Sequence, residues 1–289
     1  MFCEIVRTKK FRSILLVSSP RRKRRIVFEK MRAPDTLCHN RTAMVSYEEF
    51  CRNCDSVEAR VAAACEKSGR PRGSVKILPV TKNHSVAAPI FAARRGFVAV
   101  GENRVKEAAE KRAEFVATSP AELGIVAGLS WELIGHLQSN KARKAVETFS
   151  RIQSVDSATL AEKLAKICDE IRRDKLPILL QANPGCDPAK FGTADFDSLR
   201  IVVETALSQP QLRVDGLMCV APIDDDSLQT AARSFETLRE WRDKLETEFG
   251  QKFPELSMGM SHDMEAAIAA GSTMVRIGTA LFGERNYAA

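Results

Sequence analysis

The chain has 289 residues, of which 44% are hydrophobic and 28% are charged, and its formal net charge is +7. These are ordinary values for a globular protein, and no apolar run approaches the roughly 20 residues of a membrane span, which excludes a membrane-spanning protein. The positive charge lies in residues 1–43, which hold twelve Lys or Arg against three Asp or Glu, and the remainder carries −2. We therefore expect neither a nucleic-acid nor a membrane partner for the main part of the chain.

Residues 1–43 are predicted to be a basic leader that is disordered or not translated. They have no amphipathic period, and they contain the run RRKRR at 21–25. A composition rich in basic and poor in acidic residues also fits an organelle transit peptide, although we favour a translation start at Met44. Salt-sensitive nucleic-acid binding through RRKRR is a further, weaker alternative. One folded domain is expected over 44–289.

The first helix is predicted over 46–69, where Ser46 and Glu49 form a capping box and Gly69 ends the helix. Beyond it, short apolar runs rich in Val, Ile and Leu alternate with helical patterns. The runs predicted as strands are 75–82, 97–102, 131–136, 151–156, 176–183, 213–220, 255–260 and 273–278. The helices predicted between most of them are 85–95, 103–115, 138–148, 158–173, 195–207, 226–249 and 263–270.

Eight such strands in roughly 215 residues predict an α/β fold, a single (β/α)8 barrel of the TIM type with an added N-terminal helix. The alternative is a doubly wound parallel sheet. That fold would want a glycine-rich loop after its first strand, and the segment VTKNHS at 80–85 contains no glycine.

Eight cysteines are scattered along the sequence, and one pair has the spacing Cys51-Arg-Asn-Cys54. A zinc site would need a second pair of ligands at matching spacing, which His39 and His84 do not provide. We therefore expect reduced thiols, no metal site and a cytoplasmic location.

Polar residues follow the predicted strands at their carboxyl ends, the edge where (β/α)8 barrels hold their active sites. They are Lys82, Glu102, Asn103, Gly135, His136, Asp156, Ser157, Asn183, Ser261, Arg276, Gly278 and Thr279. Lys82, partly desolvated at a barrel mouth, would lose its proton more readily, and a neutral amine forms a Schiff base with an aldehyde. From residue type alone, a lysine that reaches solvent at a strand end is the commoner case.

The segment 256–283 adds a predicted phosphate site. Gly259, Ser261, Gly278 and Thr279 would let backbone N–H groups and hydroxyls approach an anion, and the helix predicted after Ser261 would direct its N-terminus there. Arg276 lies two residues before Gly278 and is predicted to point inward, although pairing with a core carboxylate would explain it equally well. A lysine, a phosphate cradle and an inward cation together indicate a phosphorylated aldehyde, pyridoxal phosphate.

Five segments carry a resemblance to a known family. They are GENRVKEAAEK (101–111), WELIGHLQSNKARKAV (131–146), SVDS (154–157), GLMCVAP (216–222) and LSMGMSHDMEAAIAAGSTMVRIGTALFGER (256–285). In this order they resemble the pyridoxal phosphate homeostasis proteins, the YggS/PROSC group, over about residues 47–287. The sequence departs from the family pattern at Glu132, often histidine, at Leu133, usually aromatic or methionine, and at Thr81-Lys82-Asn83, usually Ser-Lys-Thr or similar.

The resemblance implies a barrel like the N-terminal domain of alanine racemase, with pyridoxal phosphate as its cofactor and Lys82 forming the Schiff base. It implies phosphate contacts from Ser261, Gly278 and Thr279, and it places Arg276 beside the pyridine nitrogen. Asn103 and Met260 complete the expected cofactor-binding residues, and no residue is assigned a catalytic role.

An arginine cannot accept the pyridine proton, so the ring would be a weaker electron sink, which disfavours transaminase chemistry. The related alanine racemases use the lysine and a tyrosine from a second domain, for which this chain has no room. Tyr47 and Tyr287 both lie outside the predicted barrel mouth. The expected function is therefore a monomeric carrier that stores pyridoxal phosphate and delivers it to apoenzymes. The alternative is a weak amino-acid racemase, for which His136 could supply a second base.

Overall fold

Eight parallel strands form the centre of the fold in the computed structural model, which describes residues 45–118, 128–222 and 227–283. The leader predicted over 1–43 lies outside these residues. The strands are β1 (Lys76–Pro79), β2 (Ala99–Glu102), β3 (Ser130–Leu133), β4 (Arg151–Val155), β5 (Leu176–Ala182), β6 (Leu212–Cys219), β7 (Glu255–Ser257) and β8 (Met274–Ile277). All eight strands predicted from the apolar runs are confirmed.

The sheet curls into a nearly closed barrel. Its strand order is β1-β8-β7-β6-β5-β4-β3-β2, and every pair in that order is parallel. The two remaining edges meet at a bridge between Val80 and Gly101, where the Thr81 N–H donates to the Gly101 carbonyl at 3.0 Å. The (β/α)8 prediction is therefore confirmed, and the doubly wound alternative is wrong. All strand carboxyl ends lie at one face of the barrel.

The helices fall between the strands as predicted, with somewhat different ends. Within the described ranges they are α1 (Tyr47–Lys67), α2 (Ala87–Arg95), α3 (Val105–Thr118), α4 (Ala142–Thr148), α5 (Ala158–Glu170), α6 (Phe196–Leu207), α7 (Ser227–Phe249), α8 (Met264–Ala269) and α9 (Thr279–Phe282). The region predicted as one helix over 138–148 begins with a 3-10 turn at Ser139–Lys141 before α4. Strand β1 ends before Lys82 because the chain turns at Asn83, whose φ is +61°.

Helix α1 closes one side of the barrel beside β8. Ser46 caps it, since the Glu49 N–H donates to Ser46 Oγ at 3.1 Å. Its apolar face packs in a cluster with the helices on either side of β8, and the rings of Phe50 and Phe282 stack with centroids 5.0 Å apart. Burial of this face fixes the position of α9 and of the segment that precedes it.

The cysteines within the described ranges are all free thiols, including Cys51 and Cys54 on α1. Burial raises the pKa of Cys54 and of Cys219 to about 12, so both stay protonated and unreactive at neutral pH. Over the same ranges, no cluster of three or more His, Cys, Asp or Glu side chains is placed to hold a metal. No helix in the described part of the chain is long and apolar enough to cross a membrane.

Candidate functional site

A cavity of about 360 Å³ opens at the carboxyl ends of the strands. Its described lining residues are Val80, Lys82, His84, Ile134, Lys190, Val220, Met260, Ser261, His262, Arg276, Gly278 and Thr279. The structure thus brings together six of the seven residues predicted from the sequence to bind a cofactor. The volume falls in the range of roughly 300–1,000 Å³ that is usual for small-molecule sites.

A buried ion pair fixes the backbone immediately before Lys82. Lys111 on α3 donates to a Glu102 carboxylate oxygen and to the Thr81 carbonyl, both at 2.7 Å, and the Thr81 hydroxyl donates to the same Glu102 oxygen at 2.6 Å. Burial raises the pKa of Glu102, and the charge of Lys111 opposes that rise. The backbone on the N-terminal side of Lys82 is therefore fixed by charge-assisted bonds.

On the other side of Lys82, the turn is fixed by Glu107. The Asn83 N–H donates to Glu107 Oε1 at 2.6 Å, and the Lys111 ammonium contacts the same oxygen at 3.1 Å. Asn83 adopts a left-handed backbone conformation, which asparagine tolerates better than most residues. The position Asn83, where the family usually has threonine, thus has a local structural role.

The predicted phosphate site is formed by two turns that contact each other. The Ala280 N–H at the start of α9 lies 3.4 Å from Ser261 Oγ, and Arg60 on α1 donates to the Ser261 carbonyl at 3.1 Å. Gly259 has φ +96°, and a Cβ there would lie 2.5 Å from the Cβ of Ala267, so only glycine fits. These contacts hold Ser261 beside Gly278 and Thr279 in the cavity wall.

Arg276 is buried, with 4% of its surface exposed, and its guanidinium reaches the cavity. Nη1 donates to the Ser257 carbonyl at 2.6 Å and to Ser257 Oγ at 2.9 Å, and Nη2 donates to the Cys219 carbonyl at 2.7 Å. None of these partners is a carboxylate, so the alternative of a core ion pair is wrong within the described residues. Burial lowers the pKa of Arg276, because its charge is desolvated without a compensating carboxylate contact.

Asn103 and His136 are not among the described residues that line this cavity. They line a hollow of about 540 Å³ whose walls are mostly exposed side chains, among them Arg104 and Lys141. His136 Nδ1 is 3.2 Å from Asp156 Oδ2, and its ring stacks on Phe191 at 3.8 Å. Contact of Asn103 with a cofactor stays a prediction.

The other strand-end residues have structural roles. Ser157 caps α5 by accepting a hydrogen bond from the Leu160 N–H at 3.4 Å. The Asn183 amide donates to the carbonyls of Asp187 and Lys190, at 2.9 and 3.3 Å, and so folds the loop after β5 back over the barrel. This loop brings Lys190 into the cavity wall.

Sequence reasoning missed His84, Lys190 and His262 as lining residues. His84 lies two residues after Lys82 and His262 directly follows Ser261, so closeness in sequence to a predicted site residue could have identified both. Lys190 lies eight residues beyond the end of β5, and only the folded loop places it there. None of the described lining residues is an aspartate or glutamate, so the cavity wall is cationic.

Comparison with known proteins agrees with this geometry. Residues 53–286 match the family model described as alanine racemase, N-terminal domain. The pyridoxal phosphate homeostasis protein of Vibrio cholerae is 37% identical over 240 residues, covering 82% of this chain and 96% of that protein. A protein of the same description from Escherichia coli is 36% identical over 247 residues, 83% of this chain and 98% of its own.

Solved structures show the same barrel. PipY of Synechococcus elongatus, with pyridoxal phosphate bound, superposes with a TM-score of 0.67 at 36% identity, over 81% of this chain and 100% of PipY. Alanine racemase of Clostridium difficile superposes with a TM-score of 0.63 at 15% identity, over 83% of this chain and 61% of the racemase, which shows a shared fold. On the family model and on relatives that match over most of their length, the chain belongs to the pyridoxal phosphate homeostasis protein family, within the alanine racemase N-terminal domain fold.

Proposed function

We propose that this protein binds pyridoxal 5'-phosphate in the cavity, held reversibly as a Schiff base on Lys82, and acts in intracellular vitamin B6 homeostasis by storing and delivering it. The observation that carries the proposal is that Lys82 and the buried Arg276, which contacts no carboxylate among the described residues, line one cavity with Ser261, Gly278 and Thr279. Relatives named for this role and a ligand-bound PipY structure support it.

The lining residues fit the chemical groups of the cofactor. Lys82 supplies the amine nitrogen for a C=N bond, and the aldehyde oxygen leaves as water. Ser261, Gly278 and Thr279 offer a hydroxyl and backbone groups to the phosphate, at a wall that carries no described carboxylate. Arg276 can only donate hydrogen bonds, so a pyridine nitrogen beside it stays unprotonated. When bound, the cofactor would supply an electron sink, and this arrangement keeps that sink weak.

The geometry favours a carrier over a racemase. His136, the second base considered from the sequence, lines the neighbouring hollow with Asn103 and is not among the described residues that line the cavity of Lys82. Tyr47 lies on α1 and packs against Phe50 and Phe91, and Tyr287 lies outside the described residues. We expect no exchange of the α-proton of common amino acids with deuterated solvent. Exchange that is lost in Lys82→Ala would instead establish a racemase.

The proposal extends to location and partners. Buried free thiols such as Cys54 and Cys219 support a reducing compartment, and we place the protein in the cytoplasm as a monomer. The partners that we propose are apoenzymes that require pyridoxal phosphate.

The test of the proposed function is the visible spectrum of the purified protein, followed by borohydride reduction and peptide mapping by mass spectrometry. We expect a yellow protein with a pyridoxyl adduct on Lys82, and no visible band in Lys82→Ala. Lys141→Ala, in the neighbouring hollow, is the matched control and should stay yellow. A colourless protein that takes up no added pyridoxal phosphate would refute the proposal.

A further inference from the structure

Four buried polar residues form a continuous line of hydrogen bonds through the barrel interior, which we call the polar file: Glu132, Gln153, Ser257 and Arg276. Their exposed fractions are 6%, 0%, 0% and 4%. They come from four strands, β3, β4, β7 and β8, so no local sequence pattern connects them. A parallel barrel would ordinarily fill these positions with branched apolar side chains.

Every hydrogen bond in the polar file runs in the same direction. Arg276 Nη1 donates to Ser257 Oγ at 2.9 Å, Ser257 Oγ donates to Gln153 Oε1 at 2.6 Å, and Gln153 Nε2 donates to Glu132 Oε2 at 2.5 Å. The file thus begins at a cation and ends at a carboxylate. Hydrogen bonds aligned in this way polarise one another, and the low dielectric of the interior strengthens them.

Glu132 connects the polar file to a group of charges at the opposite, amino-terminal end of the barrel. Arg151 Nη1 lies 3.7 Å from Glu132 Oε2 and 2.8 Å from Glu255 Oε2, and Arg151 Nη2 lies 2.9 Å from Asp215 Oδ2. Lys76 pairs with Glu255 at 2.8 Å. The charged groups that act on Glu132 are therefore Arg151 on β4, Glu255 on β7 and Lys76 on β1.

We propose that Gln153 and Ser257 are positioning residues for Arg276, and that Glu132 sets the direction of their hydrogen bonds. An ionised Glu132 can only accept, so the Gln153 amide must turn its NH2 group toward it and its oxygen toward Ser257. Ser257 then donates to Gln153 and keeps its lone pairs for Arg276. The guanidinium is thereby fixed at the cavity floor although it contacts no described carboxylate.

Protonation of Glu132 would reverse part of this arrangement. The protonated carboxyl can donate to the Gln153 oxygen, which turns the amide NH2 group toward Ser257 and requires that hydroxyl to accept instead. Burial raises the pKa of Glu132, although Arg151 and Gln153 oppose the rise, so the change occurs at a higher pH than for an ordinary glutamate. The position of the Arg276 guanidinium therefore depends on pH above the range in which an ordinary glutamate titrates.

An effect of the polar file on cofactor binding rests on the proposed function, whereas its effect on the Arg276 guanidinium does not. Two readouts are therefore needed. The first is the NMR signals of the Arg276 guanidinium in the protein without cofactor, made with isotope-labelled arginine and assigned through Arg276→Lys. The second is the visible band and the retention of added pyridoxal phosphate as a function of pH.

Gln153→Met removes the middle of the polar file at similar volume. We expect it to shift the Arg276 signals and the visible band, and to weaken retention by about tenfold, because a buried charge-assisted line of bonds is broken. Glu132→Gln can either accept from Gln153 or donate to it, so the direction of the bonds is no longer set by a charge, and the Arg276 signals should differ from those of the wild type at neutral pH and lose the wild type's change with pH. Gln181→Met is the control for the Arg276 signals: Gln181 is also buried, but its amide donates to the Phe191 carbonyl outside the file, on the loop that carries Lys190.

Unchanged Arg276 signals in Gln153→Met, or equal shifts in Gln181→Met, would overturn the inference. If Gln153→Met does not fold, Ser257→Ala decides the matter, since it removes one acceptor of Arg276 and keeps the Ser257 carbonyl. If the wild type takes up no pyridoxal phosphate, the proposed function fails, and the guanidinium signals still test the polar file.

Discussion

The two ends of the barrel each hold a largely buried arginine, and the surroundings of the two differ. At the amino-terminal end, Arg151 contacts three carboxylates: those of Glu132, Asp215 and Glu255. At the carboxyl-terminal end, Arg276 contacts two backbone carbonyls and one hydroxyl. Burial lowers the pKa of Arg276, whereas at Arg151 the neighbouring carboxylates outweigh burial and raise the pKa.

This difference separates a structural cation from a binding cation. The charge of Arg151 is neutralised within the protein, because its carboxylate partners lie beside it at the amino-terminal end of the barrel. The charge of Arg276 is held in place but is not neutralised by direct contact, so it remains available to a ligand. The polar file connects the two ends, and each prediction below tests whether the ends differ as described.

The largest effect is expected from Arg151→Met. Removing this cation takes one partner from each of three neighbouring carboxylates, of which Asp215 keeps Arg213 and Glu255 keeps Lys76, and it should lower the free energy of unfolding by about 3–5 kcal/mol. Denaturant unfolding measures it. Arg143→Met, at an exposed ion pair with Glu170, is the control and should cost about 1 kcal/mol or less. Equal losses of unfolding free energy in the two variants would show that Arg151 and its carboxylate partners do not form a coupled group.

Lys111→Met should cost nearly as much, about 3–5 kcal/mol, because it leaves the buried Glu102 unpaired. Unlike Arg151→Met, it should also reduce pyridoxal phosphate retention, since the Thr81 carbonyl beside Lys82 loses its donor. Unfolding and retention are measured on the same samples. The double variant Lys111→Met with Glu102→Leu should recover much of the stability; a further loss instead would contradict the role of the pair.

Arg276→Met should affect pyridoxal phosphate retention more than stability, the opposite of Arg151→Met. It removes the Arg276 donor from the Ser257 and Cys219 carbonyls, so we expect a loss of about 1–3 kcal/mol, smaller than for Arg151→Met. Retention of pyridoxal phosphate should fall by tenfold or more, because a hydrogen bond to a charged group is lost. Equilibrium dialysis measures retention. A stability loss as large as that of Arg151→Met, with unchanged retention, would make Arg276 a structural residue.

The fold was predictable because it depends on patterns that repeat along the chain. Apolar runs such as 176–183 alternate with helical patterns, and eight repetitions leave few architectures. The shared face of the strand ends predicted five of the twelve described lining residues from their place in the sequence: Lys82, Ser261, Arg276, Gly278 and Thr279.

The polar file was not predictable in the same way. In a parallel barrel both faces of a strand are buried, so Gln153 and Ser257 do not stand out by alternation. Their partners lie on other strands, and the direction of each bond depends on the neighbour's donors and acceptors. Glu132 was noticed only as a departure from the family pattern, and its role follows from the burial and contacts that the fold creates.

The smallest effect concerns pH and two carboxylates near the base, Asp215 and Glu132. Burial would raise the pKa of Asp215, but hydrogen bonds from Arg213 and Arg151 outweigh it and lower this pKa. The ionised Asp215 therefore stabilises the fold at pH values above the ordinary Asp pKa, and this stabilisation is lost as pH falls through the lowered pKa. Burial raises the pKa of Glu132, so its contribution to stability is present below the ordinary Glu value and is lost as pH rises through the raised one.

The two neutral variants should therefore show opposite pH trends relative to the wild type. Asp215→Asn should cost about 1 kcal/mol at neutral pH, and this deficit should shrink below about pH 4. Glu132→Gln should be nearly neutral at pH 7 and fall behind the wild type by about 1 kcal/mol as pH falls, because only the wild type gains from taking up the proton. Unfolding free energies measured across this range decide the matter. Parallel trends would mean that Glu132 responds to pH in the same way as Asp215. Protonation of Glu132 would then not control the hydrogen bonds of the polar file.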